Sequence, residues 1–334
     1  MSVFIIAEAG VNHNGDINLA KKLIDVAKKA GADFIKFQTF TADTSISKNA
    51  KKAEYQIAST GDEQTQYEMV KQLELTMQDH QVLIDYCRKQ GIKFLSTAFD
   101  IKSFDSLLEL NCLDYVKIPS GEITNLPLIR HMAQAGLPII ISTGMADLAE
   151  IEAALKVLEA GGRSLDQIKL LHCTTEYPAP MDEINLSAID TLRNRFGCDV
   201  GYSDHSLGIE VAIAAVARGA CIIEKHFTLD RSMRGPDHAA SLEPSELAQM
   251  VSAIRNIEIA LGNGKKAPTK SEIKNRQIAR KSIVAAQPIS KGMLFSEDNI
   301  TVKRPGLGLS PMLWDDVLGQ TAKRDFLPDE LIEL

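Results

Sequence analysis

The 334-residue chain is predicted to fold as a (β/α)8 barrel followed by a small β-rich domain. Three observations carry this. Eight short apolar, β-branched runs recur along residues 1–262. Stretches with apolar residues at i, i+3 and i+4 lie between them and close on glycine. After residue 262 the texture changes to lysine-rich polar sequence and then to short strands broken by proline and glycine. Strict strand–helix alternation over this length is the pattern of a parallel barrel. A doubly wound open sheet would also alternate, but the chain lacks the glycine fingerprint of that fold.

In order, the runs are FIIAEAG (4–10), DFIKFQTF (33–40), IKFLSTAF (92–99) and DYVKIPSGE (114–122). They continue with LPIIISTGM (137–145), IKLLHCTTEYP (168–178), CDVGYSDHS (198–206) and CIIEKHFTL (221–229). LAKKLIDVAKKAGA and LAEIEAALKVLEAGG read as amphipathic helices. Asp16, in NHNGD, is placed to cap the first of them. The helical stretch 243–262 completes the barrel domain, residues 1–262. Residues 263–278 read as an exposed linker. Residues 279–334, with the strands KSIVAAQ and NITVKRPG and the single Trp314, read as a separate β-rich domain.

Composition narrows the function classes. A net charge of −7 argues against nucleic-acid binding, although a local pocket in an acidic protein can still be basic. No apolar run approaches the length of a membrane span, and the N-terminus lacks a basic, cleavable leader, so a cytoplasmic protein is expected. Five cysteines at irregular spacing point to free thiols in a reducing compartment.

Each strand turns polar at its C-terminal end, where barrel enzymes keep their active sites. Lys36, Lys117 and Lys225 are cations near hydroxyls of Thr97, Ser120, Ser142 and Ser203. That mixture suits a cradle for a phosphate and a carboxylate. His205 and His226 end adjacent strands seven and eight and could share a divalent cation with open coordination. Glu8 and Glu224 could complete its surroundings or move protons. The residue types also allow plainer roles: lysines in structural ion pairs, histidines hydrogen-bonded at the rim. His172, His80, His131 and the cysteines read as structural or surface residues, and Asn14-Gly15 as a turn.

The motifs IIAEAGVNHNGD, IKFQTF, KIPSGEITNLPLI, IIISTGM, LLHCTTEYPAP, GYSDHSLG, IEKHFTLDRSMRGPDH and VKRPGLG occur in register over essentially the whole chain. With them the chain resembles the sialic acid synthase family, and its last segment resembles the antifreeze-like (SAF) domain of that family. The resemblance implies condensation of phosphoenolpyruvate with an N-acetylated mannosamine-type sugar and water, with release of phosphate. It implies that Lys36, Thr97, Lys117, Ser120, Ser142 and Ser203 bind phosphoenolpyruvate. His205 and His226 would hold a divalent metal, Mn²⁺ first and Mg²⁺ or Co²⁺ as alternatives. Glu8 would lie near the reacting carbons, with Glu8 or Glu224 moving the proton of the water. Gln38, Thr175, Tyr177 and Asp237 would contact the sugar. Arg304 would reach the active site of a partner subunit, which requires a domain-swapped homodimer. Thr175 stands where some sialic acid synthases carry asparagine. The sugar expected first is N-acetylmannosamine, with 2,4-diacetamido-2,4,6-trideoxymannose, the precursor of legionaminic acid, as the alternative. Another metal-dependent barrel aldolase or hydrolase, or a binding module, are the competing classes.

Overall fold

A computed structural model describes residues 2–334. The chain divides into two compact units, Met1–Gly262 and Asn263–Leu334. In the first, eight strands pair in sequence order into a closed parallel barrel. They are β1 (Phe4–Gly10), β2 (Phe34–Thr39), β3 (Lys93–Ala98), β4 (Val116–Ile118), β5 (Ile139–Ser142), β6 (Ile168–Cys173), β7 (Asp199–Asp204) and β8 (Ile222–His226). β8 closes on β1 with Glu8 opposite His226.

Helices between the strands follow the spacing of their apolar residues. Ile17–Ala30 buries Ala20, Leu23, Ile24 and Ala27 on one face. Asp16 accepts a hydrogen bond from the Asn18 N–H at its start, and Gly31 ends it at φ 85°.

Side chains on a strand alternate between faces, and in a barrel one face looks inward. Ile6, Phe34, Leu95, Ile140, Leu171 and Ile222 form one apolar cluster. Their neighbours Ile5, Ala7, Ile35, Phe94, Ile141, Leu170 and Ile223 belong to the larger core between barrel and helices. The small cluster is therefore a plug inside the barrel. Two residues beyond each plug residue the inward face carries Glu8, Lys36, Thr97, Ser142, Cys173 or Glu224, and these line a cavity. β7 has Gly201 at plug level, where a Cβ would fall 2.6 Å from the Ile222 carbonyl oxygen and from Leu171 Cδ2.

The longest strand-to-strand connection runs from Phe40 to Ile92. It holds three short helices, Ala42–Ser45, Glu54–Thr60 and Gln66–Lys71, before the helix Met77–Gln90 that packs on the barrel. Among the described residues no helix is long and apolar enough to cross a membrane.

In the second unit β9 (Ser282–Ala285) pairs antiparallel with β10 (Ile300–Lys303). Ile283, Phe295, Phe326 and Ile332 are buried in its core, with Trp314 packed against them. The stretch read as an exposed linker is exposed but contains a helix, Lys270–Ala279. Thr269 and Glu272 form a capping box at its start, and no residue of it is buried.

The plug gives a direct stability test. Leu171→Ala should cost about 2–5 kcal/mol, because a buried leucine leaves a cavity that the barrel wall closes only in part. Urea unfolding measures it. A cost near zero would place Leu171 outside a tightly packed interior.

Candidate active site

Every site residue named from the sequence except Arg304 and Lys225 lines a single cavity of about 420 Å³ at the C-terminal end of the barrel. Arg304 lies exposed in the second unit, where its Nε donates to the Ala279 carbonyl at 3.0 Å.

On the cavity floor two lysines alternate with two glutamates. Lys36 Nζ lies 3.0 Å from Glu8 Oε2 and 3.4 Å from Glu224 Oε2, and Lys117 Nζ lies 3.7 Å from Glu224 Oε1. Lys36 donates to Thr97 Oγ1 at 3.0 Å and Lys117 to Ser142 Oγ at 2.7 Å. The Ser203 hydroxyl donates to Glu224 Oε1 at 2.9 Å. Of the ammonium–hydroxyl pairs expected from the sequence, Lys36–Thr97 and Lys117–Ser142 are hydrogen-bonded, whereas Ser120 and Ser203 bond to other partners.

Burial sets the two carboxyls apart. At Glu8 desolvation outweighs the pull of Lys36, and with the repulsion of Glu224 it raises the carboxyl to about 7. At Glu224 burial also pushes upward, but Lys117, Lys36 and the Ser203 hydroxyl overcome it, so this carboxyl is held below its ordinary value. Lys36 is raised because Glu224 and Glu8 together exceed the cost of its burial. Lys117, with weaker carboxylate contact, is lowered by burial. The floor therefore holds one firmly ionised carboxylate and one carboxyl that can exchange a proton near neutrality.

A second cluster stands on the neighbouring rim. The His205 and His226 ring centroids are 5.8 Å apart, and the Tyr177 ring stacks on His205 at 4.2 Å. His205 Nδ1 lies 2.6 Å from the Thr174 carbonyl oxygen, which can only accept, so Nδ1 carries the proton. That leaves the Nε2 lone pair facing the Tyr177 hydroxyl at 3.2 Å. Burial lowers His205 to about 4 and, with His205 and Lys36 nearby, lowers His226 well below the ordinary histidine value. His226 Nδ1 is buried without a hydrogen-bond partner. Two neutral imidazoles, one with its tautomer fixed, fit a divalent cation. No cluster of three or more His, Cys, Asp or Glu side chains is arranged for a metal among the described residues. Oxygen atoms of substrate or water would have to fill the remaining positions.

The third wall is polar on one side and apolar on the other. Gln38 Nε2 donates to Glu8 Oε1 at 3.3 Å. Asp237, raised to about 6 by burial, lies 3.8 Å from His226 Nδ1. Thr175 Oγ1 is buried without a partner. Gly144 makes this packing possible. A Cβ there would stand 2.1 Å from Thr175 Oγ1 and 2.9 Å from both Cys173 Sγ and Ser120 Oγ. The Gly144 N–H also donates to Ser120 Oγ at 3.0 Å.

Sequence reading missed Tyr55, Met69 and Leu73, which line the cavity from the Phe40–Ile92 connection. Tyr55 meets Tyr177 with ring centroids 5.1 Å apart. The length of that connection was the available signal, since long structured loops in barrels carry function. Glu122, seen in sequence only as a polar strand end, also faces the cavity and accepts from Asn125 Nδ2 at 2.6 Å. Lys225 is absent from the cavity, which excludes it as a phosphate neighbour. It is buried behind the barrel wall, so it is not an outward-facing surface charge either. His172 Nε2 donates to the Ile184 carbonyl oxygen at 2.7 Å, as a packing residue does.

Fold and site together set a buried lysine–glutamate floor with hydroxyl partners beside a histidine pair at the mouth of a parallel barrel. Comparison with known proteins gives the family. Residues 23–266 match the NeuB family and residues 280–333 the SAF domain. The chain belongs to the NeuB family, with a TIM barrel and a C-terminal SAF domain. It is 56% identical, over 98% of both chains, to an N,N'-diacetyllegionaminic acid synthase of Campylobacter jejuni. It is 48% identical to one of Legionella pneumophila, over 96% of this chain and 90% of that one. The crystal structure of an N-acetylneuraminic acid (sialic acid) synthetase from Leptospira borgpetersenii superposes with a TM-score of 0.72 at 39% identity. That match covers 82% of this chain and 90% of the other.

The Gly144 contacts yield a prediction. Gly144→Ala should displace Thr175 and Ser120 and lower kcat/KM by about tenfold or more, since small misplacements at a reacting centre are costly. Steady-state kinetics beside a thermal melt checks it. A folded variant with unchanged kinetics would detach both hydroxyls from ligand binding.

Proposed function

We propose that this protein condenses phosphoenolpyruvate with 2,4-diacetamido-2,4,6-trideoxymannose and water, releasing N,N'-diacetyllegionaminic acid and inorganic phosphate. The identity gradient carries this reading: 56% to a legionaminic acid synthase against 39% to a sialic acid synthetase. It favours the alternative sugar over the N-acetylmannosamine expected first from the sequence. The cavity wall supports the same choice. Phe40, Ile46, Met69, Val70, Leu73 and Phe99 give it an apolar side. A sugar with a C6 methyl and two acetamido methyls has more to bury there than one with hydroxyls at C4 and C6.

In this reading Lys36 and Lys117 bind the phosphate and carboxylate of phosphoenolpyruvate, with hydroxyl donors from Thr97, Ser120, Ser142 and Ser203. The C3 methylene attacks the sugar aldehyde carbon. Water then adds to C2, and the tetrahedral centre collapses with cleavage of the C2–O bond to phosphate. Lys36 and Lys117 stabilise the charge that develops on the departing phosphate. Glu8, close to neutrality and beside Lys36, takes the proton of the attacking water. Glu224 stays ionised and fixes both ammonium groups. Gln38, Thr175, Tyr177 and Asp237 orient the sugar. A divalent cation, Mn²⁺ in preference to Mg²⁺ because imidazole nitrogen suits it better, would be held by His205 and His226 and would polarise the aldehyde. Arg304 would reach the sugar site of a partner subunit in a domain-swapped homodimer.

Phosphate release from phosphoenolpyruvate and Mn²⁺ against a panel of sugars tests the substrate. The diacetamido sugar should exceed N-acetylmannosamine in kcat/KM by about tenfold or more, the range that apolar-pocket contacts supply. The reverse order would refute this choice, and silence with every sugar would refute the synthase itself.

The partner contact has its own test. Arg304→Ala and Lys117→Ala subunits should each be inactive alone and regain activity when mixed, because one mixed site then has both residues. Absence of recovery in a confirmed heterodimer would exclude the swap.

A further inference from the structure

Lys225 sits between two cavity residues in sequence yet has no place in the cavity. On β8, Ile222 belongs to the plug and Glu224 and His226 face the cavity, while Ile223 and, just past the strand, Phe227 belong to the barrel–helix core. Alternation sends Lys225 into that core. It is 1% exposed, and its side chain and that of Asp204 are sealed from solvent. Lys225 Nζ donates to Asp204 Oδ2 at 2.7 Å and to the Ser206 carbonyl at 2.6 Å. Asp204 Oδ1 accepts from the Ser206 N–H at 2.9 Å and from its hydroxyl at 2.6 Å.

An ion pair in an apolar wall needs a reason. Its desolvation consumes most of its Coulomb attraction, and well-packed apolar residues often serve stability as well or better. Its location supplies the reason. The β7–β8 ladder ends at the rung Asp204–Lys225. The next residue on each strand is a histidine of the pair, His205 and His226, beyond the last backbone contact between these strands. Lys225 and Asp204 tie that last rung side chain to side chain. Together they also hold Ser206, the residue after His205, by both its N–H and its carbonyl.

We propose that the buried Lys225–Asp204 pair is a positioning element that fixes the separation of the His205 and His226 imidazoles for a divalent cation. This rests on the two-histidine metal reading above. The pair touches neither substrate nor cation. It acts through the backbone, not by a bond to either imidazole.

The test compares wild type, Lys225→Met, and the doubly neutral Lys225→Met/Asp204→Asn, whose side-chain amide carbonyl at position 204 can still accept from Ser206. The single variant buries an unpaired carboxylate and can fail to fold, so the double variant decides. Mn²⁺ affinity is read by electron paramagnetic resonance of the free ion. Phosphoenolpyruvate affinity of the metal-free protein and the urea midpoint are read beside it. The double variant should fold and bind phosphoenolpyruvate as wild type does, while its Mn²⁺ affinity falls about tenfold or more. Unchanged Mn²⁺ affinity in a folded double variant overturns the positioning role and leaves the metal reading standing. Loss of fold in the double variant overturns it too, because the pair is then a stability element. A wild type that binds no Mn²⁺ overturns the metal reading and this inference together.

Discussion

The two-residue repeat of an extended strand is the constraint on which the site depends. Ile6 precedes Glu8, Phe34 precedes Lys36, Leu95 precedes Thr97, Ile140 precedes Ser142 and Ile222 precedes Glu224. In each couple the first member lies in the barrel plug and the second on the cavity floor. The plug keeps water from the lower barrel, and the floor rests directly upon it. Charged side chains there are desolvated without being far from an opening. A one-residue shift of any strand would turn its functional group into the helix layer and its plug residue with it.

On that floor, electrostatics follows from having two cations and two anions within reach of one another. Burial alone would discharge all four groups. Glu224 resists because it lies between both lysines and accepts from Ser203. Glu8 has only Lys36 as a cationic partner and faces Glu224 as well, so burial prevails there. The asymmetry divides labour between two identical carboxyls: one holds charges in place while the other can exchange a proton. In the proposed synthase reaction the lysines, already held by carboxylate and hydroxyl partners, would need little reorganisation to receive a phosphate.

Much of this was legible in the sequence because strands are local. Eight apolar runs with polar ends located the floor and the histidine pair. The same runs set Lys225 beside Lys36 and Lys117, although the period of two separates it from Glu224 and His226 and turns it away from the cavity. The partner of Lys225 was not legible: its pairing with Asp204 depends on the register between strands seven and eight. The helix Lys270–Ala279 left a local signal, threonine three residues before glutamate, that outweighed the polar, proline-containing composition around it. Tyr55, Met69 and Leu73 left no signal beyond the length of their connection. Their segment reaches the cavity through tertiary packing of short helices, and no periodicity in the chain says which of their side chains will face it.

That difference in legibility matches a difference in chemical duty. Residues proposed to handle phosphoenolpyruvate, Ser120 in the turn after β4 excepted, stand on strands, where the barrel hydrogen-bond ladder fixes each Cα and a change is costly. Residues forming the apolar wall stand mainly on the Phe40–Ile92 connection, whose short helices are tied down by caps and a few side-chain bonds. Tyr177 bridges the two, stacked on His205 from one side and meeting Tyr55 from the other. A site built this way can exchange one sugar for another by altering the connection while the strand-borne floor stays fixed. The substituents that distinguish related sugars, a methyl for a hydroxymethyl or an acetamido group for a hydroxyl, are ones that apolar contact discriminates. Specificity toward the sugar is therefore expected to lie in residues 46–73, and the condensation chemistry in the strand ends.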